Sequence, residues 1–136
     1  MDIRTKYERS ASLAFRGFAA SPSDVQMLVG VDAKLLAQKG TQMRPNRPNT
    51  WQRSAVEFEV EFPDAFPIVE MVPALLAYTG GVEHLCGVRD QVLPEFFEIN
   101  LVLPIKFSEE QEDGYLSVDT LADVSRLRTT IGFSFV

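Results

Sequence analysis

The chain is poor in the residues that usually announce chemistry. It has one cysteine, Cys86, and one histidine, His84, in 136 residues. A lone cysteine cannot close an internal disulfide, so a secreted, cystine-stapled scaffold is excluded. A zinc centre takes about four Cys, His or carboxylate ligands. Residues two apart on a helix do not face each other. Glu83, His84 and Cys86 therefore read as ordinary helix or cap residues, and neither a metal nor a Cys–His nucleophile is expected. Long apolar runs are also missing, and none approaches the roughly 20 residues that span a bilayer. The first residues, Met1 to Arg9, are charged and resemble no signal peptide. The expectation is a cytoplasmic protein with no membrane association.

Glycine-rich phosphate loops, a Gly-x-Ser-x-Gly elbow and a His-Glu-x-x-His pair are absent as well. Gly80-Gly81 is too short to count as a phosphate loop. No cofactor is expected, and the balance leans away from an enzyme. Excess positive charge is lacking: the net charge is −6. Phosphate backbones are bound by clustered cations, so general nucleic-acid binding is disfavoured. The charge is uneven. Residues 1–53 carry nine Lys/Arg against four Asp/Glu, whereas residues 54–136 carry four against fifteen. The two halves can neutralise each other within the fold or leave a polarised surface.

What is present is a hydrophobic fraction of 46% and a length typical of one domain. A chain of this size buries roughly two thirds of its unfolded surface, enough for a core without staples. The expectation is a single domain over 1–136.

Four segments alternate with period two, the mark of half-buried strands. Leu13, Phe15 and Gly17 oppose Ser12, Ala14 and Arg16. Val56, Phe58, Val60 and Phe62 oppose Glu57, Glu59 and Glu61. Ile99, Leu101, Leu103, Ile105 and Phe107 oppose Glu98, Asn100, Val102, Pro104 and Lys106. Ile131, Phe133 and Phe135 oppose Thr130, Gly132 and Ser134. Pro104 lacks a ladder donor and points to an edge or a bulge.

Helix signals stand between the strands. Ser21, Pro22 and Asp24 form a start, and Gly30 a stop. Phe66–Tyr78, broken or kinked at Pro73, and Val82–Phe96 carry helical periodicity. Ser117 caps a last helix through Leu121, Val124 and Leu127 or Arg128, with Leu116 and Leu121 spaced as a hydrophobic staple. Asp119 at its start and Arg126 and Arg128 at its end match the helix dipole. Residues 31–53 and 108–115 read as long loops, the first with a short helix at Ala33–Gln38. The order is β-α-β-α-α-β-α-β. The fold class is α+β: a two-layer sandwich with a mainly antiparallel four-stranded sheet and helices on one face.

This order, together with Ser21-Pro22-Ser23-Asp24-Val25, Lys39-Gly40 before Trp51, and Leu116-Ser117 leading to Ile131-Gly132-Phe133-Ser134-Phe135, resembles a bacterial family known only as domain of unknown function 4279. The resemblance covers nearly the whole chain. It implies an α+β sandwich and brings no activity and no catalytic residues. The loop carrying Arg44-Pro45-Asn46-Arg47-Pro48 is not one of its features.

Three groups of residues are candidates for function. Arg44, Arg47, Trp51 and Arg53, with Lys39, form a basic loop with one aromatic ring, suited to a phosphate, a nucleotide or an acidic peptide. The competing reading is that Trp51 plugs the core edge while the arginines pair with the glutamates. Glu57, Glu59 and Glu61 form an acidic strand face, either simply solvated or a contact surface for a basic protein. Glu109, Glu110, Glu112 and Asp113 read as a solvated loop, because the alternating ligand pattern of a calcium loop is missing. The preferred function is a non-enzymatic protein-interaction module. Its concrete version is an immunity-like protein that blocks a bacterial toxin. A small-ligand or nucleotide-binding module and an enzyme of unrecognised type stand as alternatives. Free sheet edges would also allow a homodimer through strand pairing.

Overall fold

The computed structural model describes residues 9–104 and 114–136. Its strands and helices follow in the order β1 (Arg9–Arg16), α1 (Pro22–Val29), β2 (Leu35–Ala37), β3 (Ala55–Phe62), a short 3-10 turn at Ile68–Glu70, α2 (Met71–Tyr78), α3 (Val82–Val92), β4 (Phe96–Leu103), α4 (Val118–Leu127) and β5 (Thr130–Phe135). The sheet has five strands in the order β2-β3-β1-β4-β5. β1 runs antiparallel to both of its neighbours, β3 and β4, and β2 antiparallel to β3. β5 is parallel to β4, with α4 as the crossover between them.

The α+β class and the covered face are as the sequence pattern expects, but the sheet differs in two respects. It is mixed and five-stranded, not antiparallel and four-stranded. The extra strand is Leu35–Ala37, where a short helix is expected at Ala33–Gln38. Three residues are too few to show a period, and edge pairing with β3 overrides local preference. Pro104 lies just past β4, which is an inner strand, so it marks no edge. Ile105, Lys106 and Phe107 and the acidic run at Glu109–Asp113 lie outside the described residues.

The helices begin and end where capping chemistry puts them. The Ser21 hydroxyl accepts the Asp24 N–H at 3.1 Å, Pro22 opens α1, and Gly30 closes it at φ 98°. Ser117 accepts the Thr120 N–H at 3.1 Å, and Arg128 closes α4 in the left-handed region. Replacing Ser117 with alanine is expected to cost about 1 kcal/mol, read as a lowered urea midpoint, because a backbone donor loses its acceptor. The expected helix at Phe66–Tyr78 is broken before Pro73, into the 3-10 turn at Ile68–Glu70 and α2 from Met71. Pro73 sits in the first turn of α2, where a missing N–H breaks no helical bond. The third helix stops at Val92, and Phe96 opens β4 instead of ending a helix.

One sheet face and the helices share a hydrophobic cluster. Ala11, Leu13 and Phe15 of β1, Val56, Phe58 and Phe62 of β3, and Phe97, Ile99, Leu101 and Leu103 of β4 pack against Val25, Met71, Val72, Leu75, Leu85, Val88, Val124 and Leu127. Phe15 lies at its centre, edge-on to Phe58 at 6.4 Å and tilted against Phe97 at 4.4 Å. The cover thins over the β5 edge. Phe133 and Phe135 face the helix side, in register with Leu101 and Leu103, yet remain 49% and 52% exposed.

Candidate functional site

Among the described residues no helix packs on the opposite face of the sheet, and its layout follows from register. Residues paired across antiparallel strands point to the same side. On this face Ala14 lies between Glu57 and Glu98, Ser12 between Glu59 and Asn100, and Ser10 between Glu61 and Val102. Between its start and Arg16, which closes one end, the central strand thus offers only small side chains on this face. Ser10, Ser12 and Ala14 are only 8%, 9% and 5% exposed, shielded by the longer side chains of the flanking strands. They form the floor of a trough walled on one side by three carboxylates and on the other by Glu98, Asn100 and Val102. Adjacent strands are about 4.8 Å apart, so the walls stand roughly 10 Å from each other at the backbone.

The wall charges are only partly compensated. Lys34, beside the β2–β3 edge, forms an ion pair with Glu59. This hydrogen bond, backed by the fields of Glu59, Glu57 and Glu61, holds the Lys34 ammonium above its usual pKa. Arg16 approaches Glu98 at 3.5 Å. Glu57 and Glu61 make no hydrogen bond or ion pair among the described residues.

At the Arg16 end of the trough the expected basic loop arrives, and its residues separate. The segment 38–53 folds as a narrow excursion. Gly40 donates to the Trp51 carbonyl and Trp51 to the Thr41 carbonyl, each at 2.9 Å, and Met43 donates to Asn49 at 3.0 Å. The buried Ser54 ties down its base: the Lys39 N–H reaches the Ser54 hydroxyl at 3.0 Å, and Gly17 N–H reaches the Ser54 carbonyl at 2.8 Å. Arg44 and Arg47 lie at the exposed tip, around a turn with Asn46 at φ 65°. Trp51 and Arg53 return to the sheet.

There they line a cleft of about 340 Å³ with Arg16, Met43, Phe96 and Glu98. A second hollow of about 230 Å³ adjoins it over Ser12, Ala14, Glu57 and Gly132, sharing Arg16 and Glu98. Arg53 is held in place by its neighbours. Its Nε donates to Glu95 at 3.2 Å, and its guanidinium lies 5.1 Å from the centre of the Phe96 ring. Glu95 in turn rests on Gly17, whose φ is +73° and whose carbonyl accepts the Glu95 N–H at 2.9 Å. A Cβ at Gly17 would meet the Glu95 side chain at 2.9 Å. Gly17→Ala is therefore expected to cost about 1–2 kcal/mol from the left-handed backbone alone. It should also shift the emission of Trp51 by displacing Glu95 and Arg53. A thermal melt and a fluorescence spectrum of the variant check both effects.

Of the candidate ligand residues, then, Trp51 and Arg53 come together, and Arg44 and Arg47 do not line the cleft. The arginines of the loop do not pair with Glu57, Glu59 or Glu61; Lys34 takes Glu59 and Arg53 takes Glu95. The sequence pattern does not single out Arg16, Phe96 and Glu98 as partners of Trp51. One signal was available: Phe96 is an apolar residue in phase with Glu98 and Asn100, on the polar side of its strand.

His84 and Cys86 are structural. His84 Nε2 is 2.9 Å from the Val29 carbonyl, which can only accept, so Nε2 carries the proton. It joins α3 to the end of α1. Cys86 lies 4.0 Å from the Arg126 carbonyl at the α3–α4 contact. Among the described residues no group of three or more His, Cys, Asp or Glu could hold a metal ion, and no helix is long and apolar enough to cross a membrane.

The described residues thus form an α+β protein with one sheet face covered by helices and an acidic trough on the other. No protein-family model, curated protein or solved structure matches the chain.

Proposed function

We propose that this protein is a non-enzymatic interaction module that docks a basic protein on the uncovered face of its sheet. The observation that carries this reading is the trough: a floor of Ser10, Ser12 and Ala14, with the carboxylates of Glu57 and Glu61, which pair with no described residue, along one wall. A lysine or arginine entering between the walls exchanges water for a carboxylate without displacing any residue of this chain. Leu35 and Val102 share this face and add apolar contact at the margins of the trough.

An immunity-like protein that caps the basic active site of a bacterial toxin in the cytoplasm is the concrete version. An acidic surface both masks a cationic site and speeds encounter with it. Membership of the family of domain of unknown function 4279 is part of the same proposal and rests on the capping and closing motifs quoted for it.

The test is affinity purification from native cells at moderate salt, with wild type and the Glu57→Lys/Glu61→Lys variant in parallel. A stoichiometric basic protein held by wild type and lost by the variant supports the reading. Equal retention by both, or recovery of nothing but the protein itself, removes it.

A further inference from the structure

The cleft at the end of the trough differs in character from the trough. Its walls carry two aromatic rings, Trp51 and Phe96, and the thioether of Met43. Its charged lining is Arg16, Arg53 and Glu98, with Glu95 beside Arg53, so two guanidinium groups stand next to two carboxylates. Each arginine meets its carboxylate through Nε: Arg16 with Glu98 and Arg53 with Glu95. A guanidinium has five N–H donors in a fixed fork. The Nη groups of Arg16 and Arg53 make no hydrogen bond among the described residues. Two forks of unused donors and two rings thus border the same space. At about 340 Å³ that space lies within the range of sites that hold small molecules.

We infer that this cleft binds a small aromatic anion, a planar ring joined to a phosphate or a carboxylate. The ring lies against Trp51 and Phe96, as rings stack on aromatic faces. The anionic group accepts from the Nη groups of Arg16 and Arg53, whose planar geometry suits both phosphate and carboxylate. Arg53 is already held over Phe96 by Glu95, so little side-chain freedom is lost on binding. An amine is disfavoured by the same two guanidinium groups. The inference stands apart from the docking reading, since Glu57 and Glu61 do not line this cleft.

Trp51 is the only tryptophan, so its emission reports on the cleft alone. The experiment titrates the full-length protein with adenosine monophosphate and with nicotinate, one arm for each anionic group. Adenosine and inorganic phosphate are the controls lacking charge and ring. At least one of the two anions is expected to shift the Trp51 emission saturably at millimolar concentration or below. The controls should bind roughly tenfold or more weakly, as should Arg16→Gln, because charge-assisted donors are lost. Arg44→Gln/Arg47→Gln, at the loop tip, should bind as wild type does. Isothermal titration checks each affinity independently of absorption by the ligand. The inference is overturned if neither anion binds at millimolar concentration, if adenosine binds as well as its monophosphate and no carboxylate binds, or if Arg16→Gln leaves the affinity unchanged.

Discussion

Phe15→Ala is expected to destabilise the protein by about 3–5 kcal/mol, the usual cost of removing a buried phenylalanine ring. Phe15 has no exposed surface and touches two other rings, Phe58 and Phe97, on the strands to either side of β1. Its loss leaves a cavity shared by three strands. β1 is hydrogen-bonded to β3 and β4 along its whole length, so it cannot slide inward to fill the space. A loss of that size is a large part of the stability of a typical domain. Urea unfolding followed by circular dichroism checks it. Ser12→Ala, on the other face of the same strand, should change stability by less than about 1 kcal/mol, because it leaves no cavity beneath the helices. The contrast separates the face that holds the fold together from the face proposed to bind a partner.

The second large effect concerns association. Glu57→Lys/Glu61→Lys turns two carboxylates on the trough wall, paired with no described residue, into ammonium groups. The stability of the isolated protein should barely change, since Glu57 is half-buried at the sheet surface and Glu61 is exposed. The association rate with a basic partner should fall by roughly 10- to 100-fold at low ionic strength, as steering is replaced by repulsion. The difference should shrink as salt is raised, because screening acts on exposed charges over about 10 Å or less. Surface plasmon resonance at two salt concentrations, with the captured partner immobilised, reads both quantities. Arg126 lies on the helix side, where it pairs with Glu83. Changing it to glutamine should leave the rate unaltered.

Much of the fold was legible because its signals are local. Ser21, Gly30 and Ser117 announce helix ends through their own side chains or backbone freedom. The alternation from Val56 to Phe62 fixes which residues face the core. The parallel pairing of β4 and β5 was not legible, because alternation gives a strand its faces but not its direction. β2 was hidden because Leu35–Ala37 is a strand only by virtue of β3 beside it. The trough was half visible. The glutamates could be read as one polar face, but the small floor and the second wall come from register across β1 and β4. The cleft was least visible. Trp51 and Arg53 stood out by residue type, whereas Arg16 and Phe96 reach them from distant parts of the chain. Arg44 and Arg47 looked equivalent to Arg53 in sequence and are separated from it by the geometry of the loop.

Carboxylate footprinting tests the central claim most directly. In the complex with the captured basic protein, carbodiimide labelling should be suppressed at Glu57 and Glu61. It should be unchanged at Glu83 and Asp119, which lie on the helices. Protection of Glu83 and Asp119 with Glu57 and Glu61 still freely labelled would contradict the account, because the partner would then sit on the helical layer and leave the uncovered face empty.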